Sequence, residues 1–60
     1  MKHTPEVITQ WLDAIHETGR RLTKWEQDFV KSINEQFIDR NSISDRQEEI
    51  LERIYAEKTR

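Results

Sequence analysis

Apolar residues return at helical spacing in three stretches of the chain. In the first, Val7, Ile8, Trp11, Leu12 and Ile15 fall within a stripe roughly 140° wide at about 100° per residue. Trp25, Phe29, Val30, Ile33 and Phe37 make the second stripe, and Ile50, Leu51, Ile54 and Tyr55 the third. Charged and polar residues fill the other faces. The pattern predicts three amphipathic helices, at about residues 4–18, 23–38 and 44–57.

The helix starts carry their own signals. Leu22-Thr23 with Glu26, and Ile43-Ser44 with Gln47, are one pattern written twice: an apolar staple, a capping hydroxyl, and Glu or Gln three residues on. Glu26 projects near the middle of the second stripe, and service to the cap explains an acid there. Thr4, Pro5 and Glu6 suit the first helix start. Gly19 is the natural end of that helix. The second helix is expected to end near Phe37 to Asp39, with Asn41 the candidate left-handed residue. Lys58 and Arg60 oppose the negative end of the third helix.

Short connections make consecutive helices antiparallel. The expected fold is all-α: a single domain over residues 1–60, a small three-helix bundle in which helices 2 and 3 form an antiparallel hairpin. Leu22, Ile38 and Ile43 join the stripe residues as core candidates. A helix 2–3 hairpin on which helix 1 docks, in its own chain or a second copy, is the alternative. One Gly and one Pro argue against a turn-rich β fold, and the regular apolar spacing argues against disorder despite 37% charged residues. No apolar run approaches a membrane span or a signal segment. A cysteine-free chain has no disulfides or thiolate metal site. The expectation is a cytoplasmic protein with no membrane partner, monomeric or homodimeric, since a core this small gains from a partner chain.

The candidate chemistry is sparse. His3 falls in a start expected to fray, and His16 sits at a stripe edge with no second ligand at metal spacing. Neither a phosphate loop nor a nucleophile–base set is present. The expectation is therefore no enzyme, no cofactor and no metal. Arg20, Arg21 and Lys24 form the one basic cluster, at the junction of helices 1 and 2. With the positive helix start beside it, that cluster is a candidate phosphate contact. Trp25, flanked by Lys24, is the aromatic best placed for an interface, although all five Trp, Phe and Tyr residues fall on stripes and read first as core. Asp45, Glu48, Glu49 and Glu52 make an acidic face suited to a basic groove on another protein. Glu48 and Glu52 are a like-charge pair one turn apart, and Arg53 is placed to pair with Glu49.

From Leu22 to Lys58 the chain resembles a short helical segment that recurs in phage-encoded and bacterial DNA-processing proteins. The residues carrying the resemblance are Leu22-Thr23, Trp25-Glu26, Phe29 and Ser32-Ile33, then Ile43-Ser44, Gln47, Ile50-Leu51 and Ile54-Tyr55. It implies a phage or prophage origin, hence the host cytoplasm, and an accessory role near nucleic-acid metabolism or host machinery. It transfers no catalytic residue. The expected function is a small non-catalytic interaction protein that docks on a host or phage protein and modulates or inhibits it. The partner-binding candidates are Arg20, Arg21, Lys24 and Trp25 with Asp45, Glu48, Glu49 and Glu52. The alternative is a nucleic-acid-binding accessory module that uses the basic junction.

Overall fold

The same local rule starts the second and third helices. Thr23 and Ser44 hold extended backbone angles, and each side chain accepts the N–H three residues on, from Glu26 and Gln47 respectively, at 3.1 Å. Glu26 and Gln47 reach back to the N–H groups of Thr23 at 2.8 Å and Ser44 at 2.9 Å. Both capping boxes are thus closed, as the pattern predicts. A computed structural model of the chain describes residues 2–18 and 21–59. It contains α1 (Pro5–Thr18), α2 (Lys24–Arg40) and α3 (Asp45–Lys58). The expected stop at Gly19 and the cation at Arg60 lie outside the described residues.

Helix α2 runs slightly past its expected end, and Asn41 stops it in the left-handed region at φ 57°, its N–H donating to the Phe37 carbonyl at 2.7 Å. That conformation suits Asn, whose short polar side chain tolerates it. The turn through Asn41–Ser44 then brings Ile43 into the core.

The core gathers Ile8, Trp11, Leu12 and Ile15 of α1, Val30, Ile33 and Phe37 of α2, and Ile43, Leu51 and Ile54. Helix α1 packs most closely on α3, and α2 meets α3 less extensively. Side-chain contacts fix the directions. His3 meets Glu48 and Trp11 stacks on Tyr55, so residue numbers rise together and α1 lies parallel to α3. Gln36 pairs with Gln47 and Glu26 with Lys58, so α2 and α3 run antiparallel. The result is the expected three-helix bundle.

The capping residues also tie the hairpin at both ends. Gln36 and Gln47 exchange two amide hydrogen bonds of 3.1 Å. At the far end Lys58 Nζ lies 3.5 Å from Glu26 Oε1. Each box residue therefore serves its own helix start and the neighbouring helix. The amide of Gln47 can do both because it accepts from Ser44 while donating to Gln36. The Thr23 backbone hydrogen bond, opposed by burial and aided by the Lys58 charge, holds the Glu26 carboxyl below its ordinary value.

Two core expectations are corrected. Ile38 is 76% exposed, because it lies about 100° around α2 from buried Phe37 and faces away from both neighbours. Trp25 is 59% exposed. Glu26, not Trp25, holds the inward position in the first turn of α2, and the indole stands about 100° away from it.

Candidate functional site

The outward rotation of Trp25 leaves a large indole on the surface. Its ring stacks on that of Phe29 one turn later, with centroids 5.4 Å apart and planes 12° from parallel. Phe29 is half-buried against the core, so the exposed indole rests on a fixed base. Beside this pair a groove of about 590 Å³ runs along the α2–α3 junction. Ile50 and Ile54 contribute apolar lining, and Arg46, Glu49, Arg53 and Glu57 supply charges. These four recur at helical spacing and are exposed. None of them makes an ion pair within 4.0 Å among the described residues, so the Arg53–Glu49 pairing expected from spacing is not formed.

The sequence-derived partner residues divide accordingly. Arg20 lies outside the described residues, while Arg21 and Lys24 are exposed beside Trp25 in sequence. Glu49 joins Trp25 in the groove, although the two came from separate candidate patches. Asp45 and Glu52 are exposed elsewhere on α3. Arg46, Ile50, Arg53 and Glu57 were missed as site residues. Their recurrence on one side of α3 was the available signal, but opposite charges one turn apart also describe an ordinary solvated face.

Glu48 is a correction. It does not belong to a solvated acidic face, for it is 2% exposed. The Lys2 N–H donates to Oε1 at 3.0 Å and Oε2 at 2.9 Å, and the His3 N–H donates to Oε2 at 3.2 Å. His3 Nδ1 lies 2.8 Å from Oε1. The expected fraying at His3 is also corrected, because its ring additionally packs edge-on against Trp11 at 4.7 Å. Helical spacing explains the burial: Glu48 lies three residues before Leu51 and seven before Tyr55, on the side that faces α1. Burial pushes the Glu48 carboxyl up, but the hydrogen bonds from the His3 ring and the His3 and Lys2 backbone more than offset it, and the net shift is downward. His3 Nε2 lies 3.9 Å from Glu52 Oε2, so one imidazole stands between the two carboxylates of the like-charge pair. This cluster locks the segment before α1 onto α3 and leaves the Glu48 carboxylate no open side for a ligand.

A second groove, of about 410 Å³, lies between α1 and α2, with Ile15, Leu22 and Val30 inside and His16, Asp28 and Lys31 at its edges. Its charges are mixed and follow no order along either helix. At the start of α2 the Glu26 carboxylate already takes the anion position, accepting the Thr23 N–H, which leaves less of the helix end for a phosphate. Among the described residues no group of three or more His, Asp or Glu is placed to hold a metal ion, and no helix is long and apolar enough to cross a membrane. Comparison with family models, curated proteins and solved structures finds no match for this chain.

Proposed function

We propose that the protein is a non-catalytic docking module that binds a partner helix, on another protein or on a second copy of this chain, through the Trp25 groove. The observation that supports this reading is an indole 59% exposed yet stacked on a half-buried Phe29, beside a groove with apolar lining. A large aromatic held rigidly at the surface loses little entropy on binding and can bury much area, which is why such residues dominate interfaces. The occupant that fits is a helix laid along α3. It presents acids opposite Arg46 and Arg53 and bases opposite Glu49 and Glu57, with small or apolar residues against Ile50.

A photo-crosslinking residue in place of Trp25 tests this in cells. It should trap a protein, and the product should vanish when Arg46→Glu and Arg53→Glu are added. The same residue in place of Ile38, exposed but outside the groove, should trap nothing. Equal products from both positions, or none from position 25, would overturn the reading.

A further inference from the structure

We infer that the helix occupying this groove is α3 of a second copy of the chain, packed antiparallel about a two-fold axis. The inference rests on the docking reading above and names its partner. The charge order along the groove is Arg46, Glu49, Arg53, Glu57. Read backwards it becomes acid, base, acid, base. Two copies aligned antiparallel therefore set Arg46 against Glu57 of the second copy and Glu49 against Arg53 of the second copy, and the two-fold repeats both pairs. A parallel alignment would set like against like at all four positions.

The match extends beyond the charges. Arg46, Ile50, Arg53 and Glu57 are spaced four, three and four residues apart, the alternation that keeps a helix seam facing a neighbouring helix over about 16 Å. With the axis between Leu51 and Glu52, Arg53 of the second copy is level with Ile50, which meets its aliphatic stem, while its guanidinium reaches Glu49 one residue along. Trp25 stands at the end of α3 marked by the Glu26–Lys58 contact, next to the place where Arg46 of the second copy arrives. An Arg over an exposed indole is a favourable pairing. The four groove charges form no ion pairs among the described residues, so association need break none. A chain with so small a core also gains from covering apolar surface with a partner.

The test uses two charge reversals, Glu49→Arg and Arg53→Glu, and sedimentation equilibrium across a concentration series. The wild-type chain should pass from 7.3 kDa to twice that mass. Each variant alone faces like charges in its own homodimer, so its dissociation constant should rise at least about tenfold. Mixing the two variants should restore association, because arginine at 49 then meets glutamate at 53 and the native Arg53 meets the native Glu49. Neither chain regains an internal Glu49–Arg53 pair on mixing, so rescue arises only between copies. Circular dichroism of each variant confirms that the helices persist. A wild-type mass that stays at 7.3 kDa overturns the inference, as does a dimer indifferent to these substitutions or one not rescued by mixing. Crosslinking from position 25 to a different protein would then leave the docking reading standing without self-association.

Discussion

His3 and Glu48, 45 positions apart, are joined twice: the imidazole Nδ1 lies 2.8 Å from Oε1, and the His3 N–H donates to Oε2 at 3.2 Å. The ring also packs against Trp11, which stacks on Tyr55 at 5.7 Å. A run from the chain start through α1 to α3 is thereby fixed by one buried carboxylate and three rings. A buried carboxylate without partners would shed its charge, and here the donors keep it ionised.

Glu48 should therefore make the fold acid-sensitive. Its folded pKa is below its ordinary value of 4.5, so its stabilisation is present above that pH and fades as the pH falls through the folded value. Glu48→Gln puts an amide donor against N–H donors and should cost about 1–3 kcal/mol at neutral pH. The groups facing it are His3 and, across the ring, Glu52. Glu26 shifts the same way, so the comparison belongs in a Glu26→Gln background. Thermal melts should show the gap between the chains with and without Glu48→Gln narrowing as the pH falls below 4.5 through the folded value of Glu48. A gap that stays constant across that range would mean the carboxylate charge contributes nothing.

The capping boxes should be worth more than their caps. Thr23→Ala and Ser44→Ala should each cost about 1 kcal/mol, a drop of about 4–8 °C in Tm for a chain of this size. Gln47→Ala removes the Gln36 exchange as well and should cost more than Ser44→Ala. A double-mutant cycle on Gln36 and Gln47 should return a coupling of about 0.5–1 kcal/mol. Zero coupling would mean the reciprocal amide pair does not hold the helix ends together.

The turn at Asn41 offers a sharper contrast. At φ 57° glycine is at least as comfortable as asparagine, whereas a β-branched side chain is strained. Asn41→Gly should leave Tm nearly unchanged, and Asn41→Val should cost about 1–2 kcal/mol. Equal melts for the two variants would rule out the left-handed stop.

The capping boxes, the left-handed turn and the three-helix order were legible because each is a local rule, set by a few neighbouring residues. Glu48 was not, because composition argues that an acid on a charged helix is solvated. Only its spacing to Leu51 and Tyr55 hinted otherwise, and its donors come from a segment with no periodicity of its own. Trp25 was half legible. Its flank beside Lys24 marked it as an interface candidate, but its stripe position read as core. The inward place in that turn went to Glu26, whose tie to Lys58 depends on how α2 and α3 meet. The groove itself was hidden for the same reason: Trp25 and Glu49 become neighbours only once the hairpin forms.

The two tryptophans should then behave as opposites. Trp11 is 8% exposed between His3 and Tyr55, and Trp25 is 59% exposed on Phe29. Trp11→Phe should leave a void and cost about 1–3 kcal/mol, while Trp11→Ala should cost about 3–5 kcal/mol and threaten folding outright. At concentrations too low for association, Trp25→Ala should cost under about 1 kcal/mol, the loss of one surface stacking contact. Fluorescence separates them without relying on stability. In the Trp11→Phe chain the remaining Trp25 should be red-shifted and readily quenched by acrylamide. In the Trp25→Phe chain Trp11 should be blue-shifted and shielded. On raising the protein concentration, only the Trp25 signal should gain protection, because only that ring stands at the groove. Protection appearing at Trp11 instead, or at neither ring while the mass doubles, would place the contact between copies on another face.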